Sequence, residues 1–342
     1  MRSFCNSKRF FYYSVMMLIV MSGCEQEEEI NLTPEIVRLY TSVPVKIVKE
    51  IKDGFEAEYK NISLDIHRTG TGKIMRRIKD EMSNGEVGAD VIWVADFSNA
   101  EELKKSGVLQ KYESPQSKKI FPLFKDPDGY YTGSRLLNMV IAYNTDYVKQ
   151  FPESYKDLLK PEFHNRIGIV NPEISGASFY VVSSLMQDNN YGQPYFKALS
   201  ANGVEIVKNN KKIVEKIANE RISAGITIDF SVRNYLKEHP ESAVDYVYPE
   251  KGTIVIASPI ALTKASRENK ASKQFIDWVL STKGQSLLSQ LGVAPVRSDV
   301  NVPAGMVSLG RLLVFPSDPE LINKNRDLII KKYHELFTQR VQ

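Results

Sequence analysis

The chain has 342 residues, 42% of them apolar and 25% charged, with a formal net charge of +4 and two cysteines. That length accommodates two domains of common size, and the near-even charge balance argues against nucleic acid as a partner. With cysteine only at positions 5 and 24, the body beyond them has no thiolate for a zinc site, no cysteine nucleophile and no internal disulfide.

Lys8 and Arg9 precede an apolar run from Phe10 to Met21, which ends in Ser22-Gly23-Cys24. The run is short for a finished bilayer-spanning helix and reads as the core of a signal peptide. The small residues before Cys24 resemble a bacterial lipoprotein processing site, although Met21 stands where that motif prefers Leu. The resemblance implies removal of residues 1–23, acylation of Cys24 and a lipid anchor holding the protein to a membrane surface of the cell envelope. The alternative is a secretory signal with a chance cysteine. Loss of Arg2, Lys8 and Arg9 would bring the charge near +1 (4 − 3). Residues 24–35, with Glu25-Gln26-Glu27-Glu28-Glu29, read as a tether with nothing to bury.

The pattern from Glu35 to Tyr40 alternates like a first strand. Thr41-Ser42 follows, then Pro44 in the first turn of a helix whose apolar face is Ile47, Ile51 and Phe55. A second strand, Ile62–Ile66, leads into Thr69-Gly70-Thr71-Gly72, a small-residue start for a helix with Ile74, Ile78 and Met82 at helical spacing. Both threonines are good N-caps, and glycine lets backbone N–H groups approach a ligand closely. A short buried strand, Ala89–Val94, ends in Ala95-Asp96, and a helix over 100–105 follows. This β-α-β-α-β order suggests a parallel sheet flanked by helices.

From Tyr112 to Tyr131, proline, lysine, aspartate and aromatics indicate a long surface connection. Strand patterns return over 133–144, 166–170, 204–207, 223–228, 243–248 and 253–260. Helical patterns occupy 211–220 and 271–280, with a last helix near 319–337. A second small-residue helix start is Ser175-Gly176-Ala177-Ser178, and a third follows Asp229. The connectivity that fits is a chain crossing twice between two α/β lobes: 36–135 with 258–342 as one, 136–257 as the other. A two-stranded hinge of this kind permits closure on a ligand.

Seven stretches, in order, carry a family resemblance. They are Tyr40-Thr41-Ser42, Arg68 to Gly72, Ala89 to Trp93, Ile141 to Asn144, Ser154 to Leu159, Asn171 to Ser178, and Lys273 to Gln285. On them the chain is similar to the extracellular solute-binding proteins of bacterial ABC importers, in the branch holding ferric-iron, phosphonate and organophosphate binders. The resemblance implies an α/β, two-lobed type II periplasmic-binding-protein fold, each lobe a mixed, mainly parallel sheet flanked by helices. It also implies a monomeric receptor without cofactor or catalysis, partnered by a permease and an ATPase.

Ferric-iron binders of that branch place two adjacent tyrosines after the strand corresponding to 223–228; here the place reads Asp229-Phe230. Nor does a histidine follow the first strand. A phosphoryl group suits what remains: helix starts present free N–H donors and a partial positive charge. The candidate ligand-binding residues are Thr41, Ser42, Thr71, Gly72, Asp96, Ser175, Gly176, Ser178 and Asp229. The two aspartates would face an amine or sugar hydroxyls, and Arg135 is a further candidate for the anion or for a structural role. Competing expectations are a ferric-iron receptor, a receptor feeding a membrane sensor, and an exported hydrolase. The last has no Gly-x-Ser-x-Gly elbow behind it.

Overall fold

A computed structural model describes residues 34–266 and 270–337. The signal segment, Cys24 and most of the acidic tether lie outside the described residues. Strand β1 (Glu35–Thr41) buries Val37 and Leu39 on one face, as its alternation requires. Helix α1 (Val45–Glu58) buries Ile47, Val48, Ile51 and Phe55, with Pro44 at the N-cap position rather than inside the first turn. Strand β2 (Ile62–Arg68) and helix α2 (Thr71–Ser83) follow. Ile74 and Ile78 are buried, whereas Met82, expected on the same face, is exposed in the last turn of the helix. Strand β3 (Val91–Trp93) and helix α3 (Phe97–Lys105) complete the first unit, and β1 lies parallel to both β2 and β3.

The connection from 106 to 131 is less superficial than its composition suggests. It holds two 3-10 turns, buries Ile120, Phe124 and Tyr131, and places the Tyr131 hydroxyl on Glu101. The long strand β4 (Thr132–Asn144), buried throughout, then carries the chain onward. The second lobe contains β5 (Ile167–Val170), α4 (Gly176–Gln187), α5 (Gly192–Ala201), β6 (Glu205–Val207), α6 (Asn210–Ala218), β7 (Ala224–Ile228), α7 (Asp229–Glu238) and β8 (Val244–Val247). Strand β9 (Val255–Leu262) returns, followed by α8 (Lys270–Leu280), α9 (Thr282–Gln290), α10 (Pro319–Lys324) and α11 (Arg326–Phe337).

Among the described residues the strands form one continuous sheet ordered β2-β1-β3-β9-β4-β7-β5-β6, with β8 also on β4. Strands β4 and β9 are its antiparallel middle pair. Residues 132–138 of β4 pair with β9, and residues 139–143 pair with β7. The two long strands therefore link a β1–β3 half to a β5–β8 half. Helices α1, α8 and α9 cover one face of the first half, α2 and α3 the other. In the second half α4 and α5 lie on one face, α6 and α7 on the other. The C-terminal helices depart from the expected allocation of 258–342 to the first lobe. Phe315, Ile322 and Ile329 join the core beneath α4 and α5, while α10 also packs against α3.

Candidate functional site

All the small-residue helix starts lie at the carboxyl ends of strands, where an open α/β sheet presents ligands. Thr41 ends β1, but its hydroxyl is occupied: it donates to Trp93 O (2.9 Å) and accepts from Val43 N (3.1 Å). Thr41 is a staple between β1 and β3. Ser42 follows with a buried Oγ that has no partner.

The start of α2 differs from its expected form. Gly70, not a threonine, is the N-cap, so the Thr71 hydroxyl does no capping. Thr71 is 2% exposed and its Oγ1 has no hydrogen-bond partner. Ser175 does cap α4, accepting from Ser178 N (3.3 Å), and Ser178 Oγ is tied to Val170 O. Both α4 serines therefore have structural work, while the backbone around Gly176 forms a contact surface.

Thr71, Gly72, Asp96 and Gly176 are brought together. A Cβ added at Gly176 would fall 2.6 Å from Asp96 Oδ2 and 3.0 Å from Thr71 Oγ1; one added at Gly72 would fall 1.9 Å from Glu173 O. Only glycine allows this approach between the α2 start and residues 173–176. Asp96 sits where α2, α3 and α4 all begin. It is the N-cap of α3, accepting from Asn99 N (3.2 Å) and from the side chains of Ser98 and Asn99. Burial raises its pKa, and the Arg326 charge opposes that shift. The charge that these converging helix starts attract is thus supplied, in this conformation, by the protein's own carboxylate.

A second contact between the halves lies on α7. Asp229 opens that helix inside its first turn, with Ile228 as the capping position. It accepts from Asn138 Nδ2 (3.2 Å), Phe230 N (2.6 Å), Tyr248 Oη (3.1 Å) and Arg233 Nη2 (3.5 Å). Arg233 also donates to Gly292 O (2.8 Å), just beyond α9. Burial raises the Asp229 pKa, with Arg233 the leading opposing influence, and burial and then the Asp229 charge raise that of the Tyr248 phenol. Asn138 Oδ1 and Arg233 Nε are buried without partners.

Strand β4 contributes the least compensated charge. Arg135 is 4% exposed, its Nε has no hydrogen-bond partner, and no carboxylate pairs with it among the described residues. Arg68 comes from the end of the edge strand β2. It reaches inward, donates from Nε to Val43 O (3.0 Å), and adds its charge beside Arg135. Burial, then that second guanidinium, pushes the Arg135 pKa down to about 9, which leaves it charged at neutral pH. Arg68 is itself exposed, but Arg135 is a buried cation without a counter-ion among the described residues, which is costly unless an anion joins it.

The sequence reading missed Arg68, Asn138, Arg233 and Tyr248. Polar residues inside apolar strands (Asn138 in β4) were the available signal. Among the described residues, no group of three or more His, Cys, Asp or Glu side chains could hold a metal ion, and no helix is long and apolar enough to cross a membrane.

Against known proteins, the fold is that of the two-lobed type II periplasmic-binding proteins. A model of the bacterial extracellular solute-binding protein family matches residues 89–315, and the chain belongs to that family. Over 290 residues it is 22% identical to an uncharacterized protein of Haemophilus influenzae, covering 82% of each chain. The periplasmic binding protein AfuA from Actinobacillus pleuropneumoniae, with exogenous fructose-6-phosphate bound, superposes with a TM-score of 0.80. It is 21% identical, over 89% of this chain and 99% of that one. Iron-bound HitA from Pseudomonas aeruginosa superposes with a TM-score of 0.79 at 22% identity, over 89% and 99%. At such identities the structural likeness speaks for the fold and leaves the solute open.

Proposed function

We propose that this protein is the solute receptor of an ABC importer and captures a small phosphorylated or phosphonate compound between its lobes. The permease and ATPase of that importer are its partners, and an acylated Cys24 anchors it on the extracytoplasmic side of a membrane. The observation that carries the anionic solute is Arg135: buried, charged, without a partner, and beside Arg68. A hydrogen bond to a charged group contributes roughly 1.5–3 kcal/mol, so a phosphoryl group bridging these guanidiniums would offset the burial of Arg135. Ser42 Oγ and Thr71 Oγ1 are further unpartnered donors at the same strand ends.

The acceptors are distributed differently. Asn138 Oδ1 and Asp229 suit hydroxyls or an amine on the remainder of the solute, and Arg233 Nε adds a donor. Asp96, which caps α3, has less freedom for that role than the sequence suggests. A ferric ion fits poorly. Two guanidiniums would each repel it by roughly 4 kcal/mol per unit of charge at about 4 Å in an effective dielectric near 20. Tyr248, which donates to Asp229, holds its proton more tightly than a free phenol.

Titration calorimetry with sugar monophosphates, alkyl phosphonates, inorganic phosphate and Fe³⁺ tests the reading. Saturable binding of a phosphoryl compound, lost in Arg135→Met, is the expected result. Tight Fe³⁺ binding with no response to any phosphoryl compound overturns it.

A further inference from the structure

The strand pair β4 and β9 is not the sole link between the two halves. After β9 and the helices α8 and α9, the chain leaves the first lobe. Thr253 N donates to Leu313 O (2.7 Å) and Phe315 N to Thr253 O (2.9 Å). Ile322, Ile329 and Tyr333 are then buried, and Ser200 Oγ donates to Leu336 O (2.7 Å). By these contacts α11 belongs to the second lobe, while α10 packs on both α4 and α3.

Their junction, however, holds a helix of the first. Asn323 Nδ2 donates to Ser98 O (3.1 Å), and Arg326 Nη2 donates to Ser98 Oγ (3.1 Å) and Asn99 Oδ1 (2.9 Å). Arg326 Nε also lies 3.1 Å from Glu102 Oε2. All three α3 residues belong to its first two turns, which Asp96 caps. The same guanidinium lies 4.1 Å over the ring of Phe179 on α4. Arg326 thus grips α3 while stacked on the second lobe, beside the place where Thr71, Asp96 and Gly176 meet.

We propose that residues 313–337 form a strap that holds the lobes together, with Arg326 as its lock on α3. Separating the α2 start from residues 173–176 pulls α3 away from α4, so opening must break the Arg326 contacts. The strap therefore sets how far the ligand-free protein stays open and how long a closed one lasts. This inference does not depend on the identity of the solute.

Small-angle scattering and amide hydrogen exchange on the ligand-free full chain test it with two substitutions. Arg326→Ala removes the lock. Ser200→Ala weakens the strap's seat on the second lobe without touching α3. Arg326→Ala is expected to enlarge the radius of gyration and to speed exchange in residues 97–102 and 173–176 by about ten- to a hundredfold. Ser200→Ala is expected to leave both unchanged while lowering the melting temperature. An unaltered radius and exchange in Arg326→Ala overturn the proposal, and so does an equal enlargement in Ser200→Ala. Arg326→Lys keeps a cation but not the forked geometry; intermediate values there support the lock, and values at the wild-type level overturn the role given to its paired contacts.

Discussion

Arg135 carries a charge that the fold neither pairs nor exposes. Such a group costs stability, which the proposed anion site would offset. Arg135→Met should stabilise the ligand-free protein by about 1–4 kcal/mol, the range seen when buried ionic groups give way to apolar ones of similar volume. The same substitution should cost about 2–5 kcal/mol of affinity for a phosphoryl ligand, at least about thirtyfold. Thermal denaturation and calorimetry on one variant read both, and a destabilised protein with intact binding would make Arg135 structural. Thr71 offers a finer test because its hydroxyl has no partner to lose. Thr71→Val should leave the melting temperature unchanged and weaken phosphoryl binding by about ten- to a hundredfold. Unchanged affinity would return Thr71 to packing alone. Thr71 and Arg135 were candidates from the sequence, but which polar groups lack a partner was not legible beforehand. A sequence shows that Thr71 and Ser175 are both good N-caps, but which hydroxyl the backbone consumes depends on where each helix begins. Ser175 is consumed and Thr71 is not.

The elements themselves were largely readable. Apolar spacing located α1, α2 and α6 by their buried residues, and strand alternation located β1. The errors fall where packing overrides local pattern: Met82 is exposed, the 106–131 connection is partly buried, and one expected C-terminal helix is two, α10 and α11. Glycine at 72 belongs to this scale, since its significance lies between two elements. Alanine is about 1 kcal/mol better than glycine within a helix, so Gly72→Ala should not harm α2. Its Cβ would nevertheless fall 1.9 Å from Glu173 O. Gly72→Ala is therefore expected to retain or raise helix stability, hold the α2 start away from residues 173–176, and weaken ligand binding. Scattering and calorimetry on the variant decide it; wild-type radius and affinity together would show that this approach is not part of closure.

At the scale of the whole molecule, binding between lobes should appear as added stability. A ligand present at a hundred times its dissociation constant adds about 2.7 kcal/mol if the unfolded chain does not bind it. For a protein of this size that is expected to raise the melting temperature by several degrees, about 2–4 °C per kcal/mol in somewhat smaller proteins. A phosphoryl compound that binds in calorimetry yet leaves the melting temperature unmoved would have to bind the unfolded chain as well, which a site built by closure of the lobes does not allow.

The sequence by itself determined the fold class and the membership of a solute-binding family. These follow from periodicity, element order and motifs, which are properties of neighbouring residues. The tertiary structure alone decided which polar groups are satisfied and which are not. Arg68 lies beside Arg135 only because β4 begins level with the end of β2 across the sheet. Asp96 occupies the helix starts only because three helices begin around it. Arg326 grips α3 only because the C-terminal helices pack on the far lobe. Each is a contact between residues distant in the chain, and a hydrogen bond's partner cannot be read from one side of it.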